Sequence, residues 1–183
     1  GWSNAAAAIC LQAGVKFSRI ERADSSDHVV FLIDDRFVLK IFRPSRACFE
    51  RETKALEFSR GRLPFATPEI VGSGRFEDWD WLIMTQVPGR ALTRAEFLGL
   101  PAETQLRLVR HLADGLRQIH AVGPEPFADD WATFVANRSS SFIERQIGHG
   151  VDPKIIDALP AFIEKHLPRV PLGPTVFLHG DVH

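Results

Sequence analysis

The stretch FVLKIF, Phe37 to Phe42, constrains the fold more than any other. In a strand, successive side chains alternate between two faces. Val38, Lys40 and Phe42 then share one face, and Leu39 and Ile41 the other. Both faces are apolar apart from Lys40, which predicts a strand covered on both sides. Lys40 is the anomaly, because an ammonium group withdrawn from water is strongly disfavoured unless an anion meets it. A lysine that snorkels to solvent near a strand end is the other reading of this residue taken alone.

The next segment offers candidate anions. Pro44 ends the strand, Ser45 can cap a helix from about Arg46 to Ser59, and Gly61 can close it. Glu50, Glu52 and Glu57 lie on that helix, and their helical neighbours separate them. Glu50 stands between Arg46 and Lys54, and Glu57 has Thr53 and Lys54 behind it, so both belong to a polar face. Glu52 has Cys48 four residues before it, with Ala55 and Leu56 after it. It is the carboxylate on the apolar stripe, which makes it the natural partner of Lys40. Taken alone, such a pair is more often structural than functional.

The rest of the chain falls into two parts. A short helix is predicted over residues 5–13, and a strand over Val29 to Ile33 that joins the Lys40 strand through Asp34-Asp35. Two further strands, Glu69 to Phe76 and Trp81 to Val87, meet at an acidic turn, and Pro88-Gly89 breaks the pattern. Beyond it, Leu106, Val109, Leu112, Ala113, Leu116 and Ile119 recur at helical spacing in an amphipathic helix over 101–121, started by Pro101. Trp131 to Ile147 gives a second helical stretch. Residues 153–167 give a third, interrupted by Pro160, and TVFLH returns to strand. A two-part chain of this kind usually holds its ligand between the parts.

Composition excludes several classes. The 183 residues are 45% hydrophobic and 25% charged, ordinary for a globular protein with a core. A net charge of -1 gives no bulk attraction to nucleic acid or to an anionic membrane surface. No run approaches the roughly 20 apolar residues of a bilayer span, and no signal peptide is predicted. Cys10 and Cys48 have no metal-ligand spacing and read as free thiols of a cytoplasmic protein. The chain has no initiator Met and stops abruptly, which predicts a portion of a longer protein.

Two polar stretches remain. ADSSDH, Ala23 to His28, has side chains and amides able to hold a phosphate, although read alone it is more often a capped surface turn. The chain closes on VFLHGDVH, in which His179 and Asp181 are two residues apart and share a face if extended. They read as two legs of a two-His-one-carboxylate iron site, as an exposed base for a hydroxyl nucleophile, or as a polar loop after a core strand. The iron reading requires a distal His, and none follows His183.

Taken in chain order, a hairpin after a Ser-rich turn, a strand Lys, a helix Glu, WLIMTQVPG, an amphipathic helix and LHGD resemble the aminoglycoside phosphotransferase and choline kinase-like superfamily. Its catalytic loop reads H-G-D-x-x-x-x-N. The H-R-D and Gly-rich loop of protein kinases are absent. The resemblance covers nearly the whole chain and implies an α+β, protein-kinase-like fold. Residues 1–88 would form an N-terminal antiparallel sheet lobe with one helix, with a hinge at about 84–90. Residues 91–183 would form the first part of a helical C-terminal lobe.

It also implies roles. Lys40 would contact ATP phosphates and be held by Glu52. Ser25 and Ser26 would lie in the loop over the phosphates. Met84 would back the adenine pocket, and Thr85 and Val87 would offer backbone groups to the adenine edge. Asp181 would be the catalytic carboxylate, braced by His179, and His183 fits the frequent H-G-D-x-H form of the loop. The cofactors would be ATP or GTP and Mg2+, with the loop Asn and the second metal-binding Asp lying beyond this chain. The chain alone would then bind nucleotide weakly and turn nothing over. The expected function is transfer of a phosphoryl group to a hydroxyl of a small molecule. A pI of about 6.7 lacks the acidic balance that a polycationic acceptor favours. A non-catalytic pseudokinase or interaction module is the alternative, and an Fe(II) oxygenase using His179 and Asp181 the remote one.

Overall fold

The computed structural model describes residues 1–23, 28–44, 48–123, 146–147, 150–169 and 176. These divide into two compact units, residues 1–119 and 120–183, the division falling in the last turn of a helix.

The first unit is built on a five-stranded antiparallel sheet in the order β1-β2-β3-β5-β4. Its strands are β1 (Ile20–Arg22), β2 (Val29–Ile33), β3 (Phe37–Ile41), β4 (Ile70–Phe76) and β5 (Trp79–Thr85). The Lys40 strand is β3, at the centre. Helix α1 (Trp2–Gln12) covers one face and α2 (Phe49–Ser59) the other. Leu39 and Ile41 pack with Phe31, Ile33, Trp81 and Ile83 against Ala6, Ile9 and Cys10 of α1. On the opposite face Phe42, Leu82 and Met84 pack with Val38, Phe49 and Leu56. The double covering predicted from FVLKIF is therefore present.

Local chemistry explains the elements. The alanine run of α1 favours helix, and burial at Ala6, Ile9 and Cys10 gives it one inward stripe. The helix begins at Trp2, earlier than the expected residue 5, because the Trp2 ring packs edge-on against Trp79 at 4.9 Å. The β2–β3 turn places Asp34 and Asp35 at φ 50° and 51°, a conformation that usually favours Gly or Asn. Asp34 is held there by its own carboxylate, which accepts from Ser18 Oγ at 2.8 Å and from the amides of Ser18 and Arg19 at 3.0 and 2.7 Å. Asp35 pairs with Arg19. These bonds also anchor the chain entering β1, a strand absent from the sequence expectation. The β4–β5 hairpin turns at Glu77, φ 53°, so β5 starts at Trp79 and ends at Thr85, two residues earlier than expected at each end.

Helix α2 starts at Phe49 after Cys48, and Gly61 at φ +67° follows its end. The expected cap Ser45 lies outside the described residues. Helix α3 (Arg94–Leu98) was not expected from sequence; Thr93 and Glu96 close a capping box at its start. Helix α4 (Ala102–Ala121) follows Pro101 as predicted.

In the second unit, α5 (Pro153–His166) starts at Asp152, whose carboxylate accepts from the Lys154 amide at 2.9 Å. The expected interruption at Pro160 is not found: the helix runs through it. One proline removes a single backbone bond, and the bonded turns on either side carry the helix past it. The helical stretch expected over Trp131 to Ile147 lies largely outside the described residues, and the TVFLH strand lies outside them apart from Val176.

Candidate functional site

Strand register builds the site. Lys40 lies opposite Val30 on β2 and Leu82 on β5, and Val38 lies opposite Met84. Lys40, Leu82 and Met84 therefore share the face that carries α2. Lys40 Nζ donates to Glu52 Oε2 at 2.6 Å, with the two side chains 22% and 29% exposed. A charge-assisted bond of that length, largely withdrawn from water, fixes both groups in a way that an exposed pair does not. Glu50 and Glu57 are exposed, as the helical neighbours predicted.

Aromatic packing orients the pair. Phe42 is buried and meets Phe49, in the first turn of α2, edge-on at 5.4 Å. His28 tilts against Phe42 at 5.0 Å, and Lys40 Nζ lies 5.1 Å from the Phe42 ring centroid. This clasp brings the start of α2 to β3 and so places Glu52. Sequence reading did not assign it, although Phe42 has the same strand parity as Lys40. The lysine ammonium has three donors, of which Glu52 occupies one. The partly exposed head can meet a second anion.

The end of β5 carries a different chemistry. Met84 is buried, packed with Phe42, Leu82 and Ile70. The Thr85 amide donates to the Glu69 carbonyl at 2.9 Å, and the Gln86 amide to the Arg36 carbonyl at 2.8 Å. Beyond them Val87 is exposed. The last residues of β5 are thus tied to β4 and to β3 before the chain leaves the sheet.

Of the expected site residues, the structure brings Lys40, Glu52 and Met84 to one face and places Thr85 and Val87 at and just past the end of β5. Ser25, Ser26, His179, Asp181 and His183 lie outside the described residues. Among the described residues no group of three or more His, Cys, Asp or Glu has the makings of a metal site.

No curated protein matches the chain. Solved structures do. The streptomycin–ATP ternary complex of APH(2'')-IIa is 16% identical, with a TM-score of 0.63 over 87% of this chain and 57% of its own. The GDP complex of aminoglycoside 2'-phosphotransferase-IIIa is 15% identical, with a TM-score of 0.62 over 91% and 57%. ADP-bound aminoglycoside phosphotransferase APH(2'')-Ib is 19% identical, with a TM-score of 0.57 over 87% and 51%. The fold is therefore kinase-like, as the residues in chain order implied, and the chain spans a little over half the length of these structures. A model of the phosphotransferase enzyme family matches residues 18–183. With its sheet, its Lys40–Glu52 pair and that match, the chain belongs to the phosphotransferase enzyme family.

Proposed function

We propose that this chain is the nucleotide-binding part of an ATP-dependent phosphotransferase whose acceptor is a hydroxyl group of a small molecule. The observation that carries the reading is the 2.6 Å Lys40–Glu52 bond on the sheet face that also holds Met84. Phosphoryl transfer depends on positioning and charge neutralisation more than on covalent chemistry. A lysine fixed by a carboxylate, with donors left over, suits the phosphates of a nucleotide. Met84 suits the rear of a base pocket, and the backbone at Thr85 and Val87 its edge. Residues 1–88 then form the nucleotide lobe and residues 91–183 the start of the acceptor lobe. Ser25 and Ser26 are assigned to the loop over the phosphates, Asp181 to the acceptor hydroxyl and His179 to bracing the loop around it.

The ligands of the matched structures support a nucleotide: one is a complex with ATP, one with GDP and one with ADP. The ATP complex also holds streptomycin, but the near-neutral charge of this chain gives no particular preference for a polycation. Mg2+ would neutralise phosphate charge in such an enzyme. The described residues supply no cluster to hold it. No helix of the described residues is long and apolar enough to cross a membrane, and a nucleotide donor with free thiols suits a cytoplasmic protein.

The test is ADP release by the full-length protein across a panel of small alcohols, with ATP-induced change in melting temperature measured alongside. ATP raises the melting temperature and at least one alcohol drives ADP release. Lys40→Ala abolishes both. A variant with an undiminished thermal response removes Lys40 from the site, and a bound nucleotide with no turnover on any acceptor points to a non-catalytic relative.

A further inference from the structure

Helix α2 carries Glu52, and its start lacks a polar cap. Cys48 stands at the N-cap, where its side chain makes no capping bond among the described residues. Helix starts favour Ser, Thr, Asp or Asn there, because their side chains close the free amides. Packing holds the start of α2 instead. Cys48 and Phe49 rest on the cluster of Phe42, Leu82 and Met84, and the half-buried Phe49 ring meets Phe42 edge-on at 5.4 Å. The Glu52 amide donates to the Cys48 carbonyl at 2.9 Å, so Glu52 is bonded into the first turn and moves with it. Phe49 lies three residues before Glu52 and projects from the same side of the helix. Phe42 is a fixed post. It is 1% exposed, and its amide donates to the Asp80 carbonyl at 2.8 Å. Its ring centroid also lies 5.1 Å from Lys40 Nζ, within cation–π range. One ring thus meets both the ammonium group and the helix turn that bears its carboxylate. Further along α2, Leu56 packs on the same cluster and Phe58 is buried.

We propose that Phe49 is a positioning residue for nucleotide phosphate: its contact with Phe42 holds the first turn of α2 so that Glu52 keeps Lys40 aimed, and it sets phosphate affinity without touching the nucleotide. This rests on the nucleotide-binding reading above and deepens it by naming what governs Lys40. Removing the Phe49 ring loosens the uncapped turn. Leu56 and Phe58 keep the rest of the helix seated, and Met84 stays in its strand. The phosphate end of the site therefore weakens while the base end does not.

The experiment is calorimetric titration of the full-length protein with ATP and with adenosine, which lacks the phosphates. The wild type binds ATP more tightly than adenosine. Phe49→Leu keeps apolar bulk and removes the ring. It loses about tenfold in ATP affinity, the upper end of what an aromatic pair contributes, with adenosine affinity unchanged. Phe49→Met serves as a second ring-free variant should Phe49→Leu fail to fold. A cycle with Glu52→Gln identifies the route. In that background Phe49→Leu costs no further ATP affinity, because a contact that acts through Glu52 has nothing left to hold. Equal losses for ATP and adenosine would mark a merely structural role and overturn the assignment, as would an unchanged ATP affinity or a full second loss in the Glu52→Gln background. If the wild type binds neither ligand, or binds both equally, the nucleotide reading of Lys40 falls and takes this assignment with it.

Discussion

The Asp34 carboxylate accepts from three donors, the Ser18 hydroxyl and the amides of Ser18 and Arg19, and these hold its pKa below the ordinary carboxylate value. The hydroxyl bond from Ser18 is the largest cause, followed by the backbone bond to the same residue. A carboxylate depressed on folding stabilises the folded state above its unfolded pKa, near 3.9 for Asp. That contribution is lost as pH falls below this value towards the lower folded pKa. Asp34→Asn removes a titrating group and weakens the acceptor, so two changes follow. Stability at neutral pH drops, and the acid limb of the stability profile becomes shallower below about pH 4. Urea unfolding of both proteins between about pH 3 and pH 7 reads both changes; parallel profiles would show that the charge of Asp34 does not hold the turn. Its other effect is on a thiol. The Cys10 thiol is raised above its ordinary value, first by burial between α1 and the sheet and then by the Asp34 charge, so it is a poor nucleophile.

At the scale of elements, the β4–β5 hairpin is set by one close approach. A Cβ added at Gly74 would lie 2.9 Å from Trp81 Cζ2, and Trp81 is buried in the α1 face of the sheet. The ring has no room to yield without disturbing Ile83 and Leu39 beside it. Gly74→Ala is therefore expected to destabilise the protein by about 1–3 kcal/mol, the range for overpacking a core. Thermal unfolding with tryptophan fluorescence follows it, and a loss below about 0.5 kcal/mol would mean that the ring repacks freely. The sequence conceals this contact because Gly74 and Trp81 meet only through strand register. The same holds for β1: three residues carry no readable alternation, and pairing with β2 and the Asp34 bonds place them. Lys40 and Glu52 were legible because each stands out against its own neighbours, a charge on an apolar strand and a carboxylate on an apolar helix stripe. Pro160 misled because a proline marks a preference, and the surrounding helix overrode it. The histidine and aspartate of the final loop were read as motif alone, and their geometry lies outside the described residues.

At the scale of the whole molecule, burial is uneven. The sheet unit has a core on each face, and Leu82 and Ile83 are fully buried on opposite sides of one strand. Helix α4 carries as strong an apolar stripe, yet Leu106, Val109 and Leu112 are each about half exposed, at 49%, 50% and 52%. Hydrophobic stabilisation scales with area removed from water, so the two sets of leucines contribute very differently within this chain. Leu82→Ala creates a cavity between β5 and α2 and is expected to cost about 2–5 kcal/mol. Leu112→Ala removes atoms already half in water and leaves no enclosed cavity, for an expected loss under about 1 kcal/mol. Urea denaturation of the two variants of the 183-residue chain makes the comparison directly. Equal losses would mean that the α4 stripe is covered in solution as fully as the core of the sheet. A large difference would place the stability of this chain in the helix–sheet–helix layers around Lys40, the part that holds the candidate nucleotide residues in register.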